Sequence, residues 1–254
     1  MAYTKLTFHN QQGQAISGRL DKPDGAPVAY AIFAHCFTCH KNLNAVRHIS
    51  NALTAAGYAV LRFDFTGLGE SEGDFADTNF STNVNDLVQA ADFLANSPDY
   101  EAPKLLIGHS LGGAAVLQAA QHIPSATAVA TIGSPCKPEH VTHMFTCSID
   151  EIEQNGYANV QLAGRPFTIK KQFIDDLAET KMKDAIRNLK KALMVFHSPI
   201  DNTVGVDNAA DIFLTAKHPK SFVSLDDADH LLTQSADSKY VGQVLAAWAH
   251  RYVG

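Results

Sequence analysis

The chain has 254 residues, enough for one large α/β domain with a full core, and its 46% hydrophobic and 18% charged residues are those of an ordinary globular protein. Lys and Arg total 20 against 26 Asp and Glu, a net charge of −6 with no basic run, which leaves nucleic-acid binding without an electrostatic footprint. No stretch approaches the roughly 20 apolar residues of a membrane span, and Met1-Ala2-Tyr3-Thr4-Lys5-Leu6 has no apolar signal core, so the expectation is a cytoplasmic protein whose Cys36, Cys39, Cys136 and Cys147 are thiols.

In chain order, Leu6 to His9 and Ala15 to Leu20 read as a hairpin turned at Gln12-Gly13. Six further strands are expected at Ala29 to Ala34, Ala59 to Phe63, Lys104 to Gly108, Ala126 to Ile132, Ala192 to His197 and Ser221 to Leu225. Several are apolar throughout, as parallel strands covered on both faces must be. Amphipathic helices are expected between them: Asn42 to Ala56, ended by Gly57, then Thr82 to Asn96, Leu111 to Gln121, Val206 to Ala216 and Ser238 to Tyr252. The alternation predicts a mostly parallel eight-stranded sheet with an antiparallel start and helices on both faces. One interval, about residues 137–190, is longer than a crossover helix requires. Within it Asn159 to Leu162 and Pro166 to Ile169 flank Ala163-Gly164-Arg165 as a hairpin, and a helix is expected from Gln172 to Leu189. The expectation is a single domain over 1–254 with this insertion as a small cap, hairpin plus helix, serving as a lid over the site with Phe167 and Phe173 on its pocket-facing side; the alternative is an insertion that only covers the sheet edge.

The chemistry concentrates at Leu105-Leu106-Ile107-Gly108-His109-Ser110-Leu111-Gly112-Gly113-Ala114. This is a G-x-S-x-G sequence in a strand–turn–helix setting, the arrangement that exposes a strained serine above a sheet. Gly108 and Gly112 lack Cβ atoms, so strand and helix can approach closely around Ser110. A serine hydroxyl needs a base to take its proton and a third group to orient that base. The chain order Ser, acid, His points to His230 in the loop after the last strand, and to Asp201 in the loop after Val195-Phe196-His197-Ser198. Asp226, Asp227 and Asp229 compete as the acid but lie in the histidine's own loop, and Asp207 suits the first turn of the next helix. Oxyanion donors are expected from the Leu111 N–H and from the Phe37 N–H in His35-Cys36-Phe37-Thr38-Cys39-His40. Cys36-x-x-Cys39 also admits a redox pair or half of a zinc site, with His35 and His40 as further ligands. The thioredoxin-like context and a second ligand pair are both missing, so thiols packed near the pocket are expected. His140 and His143 are expected to be exposed, unremarkable residues of the cap. Asp64, Gly67 and Gly69, in Arg62-Phe63-Asp64-Phe65-Thr66-Gly67-Leu68-Gly69-Glu70-Ser71, are expected to shape a loop at the same sheet edge.

With these motifs assembled, the chain resembles the α/β-hydrolase superfamily over essentially its whole length. Phe33-Ala34-His35-Cys36-Phe37-Thr38-Cys39 and His197-Ser198-Pro199-Ile200-Asp201-Asn202-Thr203-Val204 are similar to the hydrolase half of bacterial fusions between an α/β-hydrolase and an OsmC-like peroxidase domain, of which this chain would be a free-standing version. The resemblance implies an esterase-like serine hydrolase, and nothing supports peroxidase activity. The expectation is cleavage of carboxylic esters with short or medium acyl groups through an acyl-enzyme, with Ser110, Asp201 and His230 as the triad. No cofactor and no metal are expected. The expected partner is a small-molecule ester, with no nucleic acid and no membrane, and no residue pattern speaks to the oligomeric state. The alternatives are a thioesterase, amidase or acyltransferase with the same residues, and a non-catalytic binding protein on this scaffold. Ser rather than Asp at position 110 disfavours a haloalkane dehalogenase or epoxide hydrolase.

Overall fold

The structure, a computed structural model, describes residues 2–253. The hairpin strands β1 (Ala2–His9) and β2 (Ala15–Lys22) lead into β3 (Ala29–Ala34), β4 (Tyr58–Phe63), β5 (Leu105–His109) and β6 (Ala128–Ile132). Two short strands, β7 (Tyr157–Leu162) and β8 (Arg165–Lys170), form a separate hairpin, and β9 (Ala192–His197) and β10 (Lys220–Ser224) return to the main sheet. The eight-stranded sheet runs β1-β2-β4-β3-β5-β6-β9-β10. The first two pairings are antiparallel and the rest parallel. This is the α/β-hydrolase fold, and all eight expected strands lie in it. The C-terminal ends of the parallel strands share one edge, where ligands of open α/β sheets bind.

Alternate residues of each central strand feed opposite cores, which is why these strands are apolar throughout. On β3, Ile32 and Ala34 face a core built with α2 (Phe80–Asn96) and α3 (Leu111–Ala119), whereas Ala31 and Phe33 face one built with α1 (Asn44–Ala55) and α8 (Ser235–Val253). Leu53 and Leu245 are wholly buried in the second core, and truncating either to Ala would cost about 2–5 kcal/mol through lost transfer energy and the cavity left behind. Helix α2 starts two residues before the expected Thr82. The Asn79 side chain accepts from the Thr82 N–H, and Thr82 returns the bond to the Asn79 N–H, a capping box that sets the first turn.

The chain between β6 and β9 departs most from expectation. It opens with 3₁₀ turns over Pro138–Ser148 and the helix α4 (Ile149–Asn155), where no helix is expected. Gly156, in the left-handed region at φ 81°, ends α4. The β7–β8 turn is two residues, Ala163-Gly164, at φ 50° and 75°, one shorter than expected. Positive φ at both positions is the turn whose twist matches a hairpin. The single helix expected over Gln172 to Leu189 is instead α5 (Lys171–Glu179) and α6 (Met182–Arg187). Thr180 is extended and its hydroxyl donates to the Asp176 carbonyl, closing α5. The break lets α6 pack on α3. The helix α7 (Asp207–Thr215) then leads to β10. Among the described residues, no helix is long and apolar enough to cross a membrane.

Candidate active site

Strand β5 ends at His109, and Ser110 sits between it and α3 at φ 55°, ψ −126°. Such a backbone costs about 1–3 kcal/mol in a non-glycine residue and persists only where the surroundings impose it. The imposing contacts are visible. A Cβ on Gly108 would lie 2.2 Å from the Gly112 carbonyl oxygen, and one on Gly112 would lie 2.4 Å from that of His35. Only glycines let β5, α3 and the end of β3 meet this closely. The Ser110 N–H donates to the Ile132 carbonyl at 2.9 Å, which ties the turn to β6.

The loop after β10 carries His230, whose Nε2 lies 2.9 Å from the Ser110 Oγ and whose Nδ1 lies 2.7 Å from the Asp201 Oδ2. The other carboxylate oxygen of Asp201 accepts two backbone N–H groups, from Thr203 and Val204, each at 2.8 Å. Burial alone would raise the Asp201 pKa. The His230 hydrogen bond and these backbone donors outweigh it and hold the carboxyl below its usual range. An ionised Asp201 accepts only, so Nδ1 of His230 carries the proton and Nε2 faces the serine as an acceptor. Gly133, at φ 54°, lies beneath the pair, where a Cβ would sit 3.3 Å from Asp201 Oδ2 and 3.4 Å from His230 Nδ1. The competing carboxylates are engaged elsewhere or do not reach the ring. Asp229 accepts from the Thr233 N–H and hydroxyl, Asp226 is exposed, and Asp207 lies in the first turn of α7.

Phe37 and Leu111 line the same pocket as Ser110. Leu111 opens α3, so its N–H has no intrahelical acceptor. The Phe37 loop corrects the cysteine expectation. Cys36 and Cys39 are joined in a disulfide, with Cα atoms 5.3 Å apart, and Cys136 and Cys147 are free. The reason is the local turn. The Cys39 N–H donates to the Cys36 carbonyl at 3.1 Å, and Thr38 takes φ 59°, which folds the two cysteines within bridging range. The bridge also occupies the sulfurs a zinc site would need. Among the described residues, no cluster of three His, Cys, Asp or Glu side chains could hold a metal ion. Arg165, at the start of β8, donates to the Thr38 carbonyl, so the inserted hairpin touches this loop directly.

Behind it, Asp64 accepts from the Lys41 N–H at 2.6 Å and the Glu70 N–H at 3.0 Å, and pairs with Lys41 Nζ at 2.5 Å. Burial raises the Asp64 pKa, but the Lys41 hydrogen bonds prevail and hold it low. Asp64 and Gly69 therefore shape the loop, as the sequence suggests. The partners Lys41, and Asp21 on Arg62 at 2.7 Å, are missed by sequence reasoning because they are distant in the chain.

The pocket in front of Ser110 holds about 370 Å³. Its far wall comes from the insertion, including His140, His143, Met144 and Leu162, and its side from Asn202, Thr203 and Val204. His140 and His143 lie in the inserted cap, as expected, and His143 is exposed; both also line this wall, and His140 Nε2 reaches the Thr203 carbonyl at 2.8 Å. The insertion's Phe167 and Phe173 are absent from the wall. They pack behind it, Phe167 on Phe75 with ring centroids 4.9 Å apart and Phe173 on Phe37 at 5.6 Å.

The chain matches the family Hydrolase_4, described as serine aminopeptidase, S33, over residues 25–155, just over half its length. The mitochondrial palmitoyl-protein thioesterase ABHD10 of Rattus norvegicus is 26% identical over 178 residues, 69% of this chain and 55% of that protein. The monoglyceride lipase of the same organism is 31% identical over 118 residues, 46% of this chain and 38% of that protein. The match thus spans about half or less of these curated relatives. Among solved structures, the esterase domain from a Rhodothermus marinus protein is 53% identical with a TM-score of 0.82, covering 100% of both chains. Est1E from Butyrivibrio proteoclasticus with ferulic acid bound, at 19% identity and a TM-score of 0.80 over 98% of this chain and 99% of that one, shares the fold.

Proposed function

The chain belongs to the Hydrolase_4 family of α/β-hydrolases, and from that premise we propose that it is a serine hydrolase of carboxylic esters with short to medium acyl chains. The observation that carries the reading is the unbroken line from Ser110 Oγ through His230 Nε2 and Nδ1 to Asp201 Oδ2, at 2.9 and 2.7 Å. His230 takes the Ser110 proton as Oγ attacks the ester carbonyl carbon, and the carbonyl oxygen becomes an oxyanion held by the Phe37 and Leu111 N–H groups. The tetrahedral intermediate collapses, the bond to the alcohol oxygen breaks, and the imidazolium delivers its proton to that oxygen. Water then gives a proton to His230 and attacks the acyl-enzyme, and its collapse returns a proton to Ser110 and releases the acid. Asp201 keeps the imidazole in the required tautomer and stabilises its charged form throughout. No step calls on a cofactor.

The insertion over 137–190 acts in this reading as a lid. It supplies the far wall of the pocket, excludes water from the oxyanion and limits acyl length. The 53% identical relative, described as an esterase domain, supports ester cleavage. A thioesterase is the second reading, favoured by the relative named a palmitoyl-protein thioesterase. Matched oxygen and sulfur esters of graded acyl length, assayed with parent and Ser110→Ala, test both. Oxyester kcat/KM above thioester, peaking at short or medium chains and lost in Ser110→Ala, is the expected result. A thioester preference moves the assignment to the second reading.

A further inference from the structure

Three histidines beyond His230 are buried around the site, and the mechanism above uses none of them. His35 directly follows β3, and His109 and His197 are the last residues of β5 and β9. They are 1%, 2% and 0% exposed. Each meets a backbone carbonyl through one ring nitrogen: His35 Nδ1 to Cys36 at 2.9 Å, His109 Nε2 to His230 at 2.7 Å, and His197 Nε2 to Val204 at 2.7 Å. A carbonyl only accepts, so each of these nitrogens carries the proton. The second nitrogens are fixed as well. His35 Nε2 accepts the Phe65 N–H at 3.3 Å, while Nδ1 of His109 and of His197 are buried without a partner. A second proton would meet a donor in the first case and no acceptor in the other two. Burial correspondingly pushes the pKa of His35 and of His109 down to about 4, and lowers that of His197.

The three carbonyls are not arbitrary. The Cys36 C=O and the Phe37 N–H belong to one planar peptide, so holding the carbonyl aims the N–H the opposite way. The Val204 carbonyl belongs to the residue whose N–H donates to Asp201 Oδ1 at 2.8 Å. The third carbonyl is that of His230 itself, and the His109 ring also lies against the His230 ring, with centroids 5.2 Å apart. A histidine at the end of β5, one at the end of β9 and one directly after β3 thus each hold a carbonyl of the loop carrying one part of the machinery: base, acid and oxyanion donor.

We propose that His35, His109 and His197 are positioning residues, neutral N–H donors that clamp the oxyanion, base and acid loops to the sheet edge. The proposal rests on the serine-hydrolase reading. A misplaced reacting group costs far more in turnover than in substrate binding, on the order of 10²-fold for a displacement of about 1 Å. Removing a clamp should therefore lower kcat and leave KM in place.

The test compares an apolar replacement with one that restores the N–H at the same reach. Gln can present its amide N–H where Nε2 stood, and Asn where Nδ1 stood. The pairs are His109→Leu with His109→Gln, and His35→Leu with His35→Asn. They are measured alongside parent and Ser110→Ala by ester kinetics, fluorophosphonate labelling rate and urea denaturation. The expected result for each Leu variant is a 10- to 100-fold loss of kcat and of labelling rate, with KM within about twofold. The amide variants should recover most of the loss, even where Leu and amide variants unfold at similar urea concentrations. Equal kinetics for Leu and amide variants, or a loss confined to KM, overturns the proposal. Should His109→Leu fail to fold, the His35 pair decides by the same criteria, and should both Leu variants fail, amide variants at least tenfold below parent in kcat overturn it. Ser110→Ala separates the two levels: an active Ser110→Ala overturns the serine-hydrolase reading, whereas an inactive one beside a fully active His109→Leu overturns only the clamp.

Discussion

Replacing Asp201 by Asn tests the orientation of the base, and the structure dictates how the amide must sit. The position of Oδ1 accepts two N–H groups, from Thr203 and Val204 at 2.8 Å each. An NH₂ group there would face two donors, so the amide oxygen takes that place. The NH₂ group is left 2.7 Å from His230 Nδ1, where Oδ2 stood. It donates to Nδ1 and moves the imidazole proton to Nε2, the nitrogen facing Ser110 Oγ. A protonated Nε2 cannot accept the serine proton, and the charge that stabilised the imidazolium is gone. The expected loss in kcat is on the order of 10⁴-fold, about 5 kcal/mol of barrier, with the fold intact. The assay is steady-state hydrolysis of a nitrophenyl ester near pH 8, with circular dichroism as the folding control. Asp226→Asn and Asp229→Asn should cost far less, since neither carboxylate orients the ring. An Asp201→Asn enzyme within tenfold of the parent, or either of the other variants falling below it, refutes the argument.

Three further changes probe other parts of the account. Gly133→Ala places a Cβ 3.3 Å from Asp201 Oδ2 at a φ of 54°, so it should cost about 1 kcal/mol of stability and roughly tenfold in kcat, read from urea denaturation and ester kinetics; unchanged kcat contradicts the close fit beneath the pair. Burial raises the Asp86 pKa from 3.8 to about 6, so in that interval the folded state holds a proton that the unfolded state has lost. Parent stability from this group is therefore full below about pH 4, falls as pH rises toward 6 and is flat above. Asp86→Asn should accordingly gain on the parent by roughly 2–3 kcal/mol between pH 4 and 7, and urea midpoints that move in parallel for the two proteins contradict this. Ala163→Phe, in the pocket wall, should shift the kcat/KM profile toward shorter acyl chains, whereas Phe167→Trp, behind the wall, should leave it unchanged. An unshifted profile in Ala163→Phe, with folding intact, counts against a lid role for the insertion.

The legibility of this chain follows the physics of its parts. Strands such as Ala29–Ala34 and Ala192–His197 could be read because both faces are buried, which leaves an uninterrupted apolar run. Ser110, His230 and Asp201 are proposed together from their order along the chain, and the structure brings them into one hydrogen-bonded line. The insertion was less legible. Its 3₁₀ turns have too little length for periodicity, although Pro138 at the start and Gly156 at the end were signals of helical structure. The α5–α6 break depends on α6 turning to reach α3, a tertiary demand with only Thr180 to mark it. The Cys36–Cys39 bridge ran against an inference from compartment, which carries no information about the turn that brings the sulfurs together. The pocket wall escaped for a similar reason. His140 reaches Thr203 across 63 residues of chain, while the apolar Phe167 and Phe173 turn toward other aromatics instead.

The central claim is that Ser110 is a nucleophile activated by His230. It is tested most directly by treating the protein with a fluorophosphonate and locating the adduct by peptide mass spectrometry. The account predicts one stoichiometric adduct on Ser110, loss of ester hydrolysis in step with labelling, and no adduct in a folded Ser110→Ala protein. An unlabelled Ser110 in a folded protein that still hydrolyses esters, or equal labelling of Ser110→Ala, would contradict it.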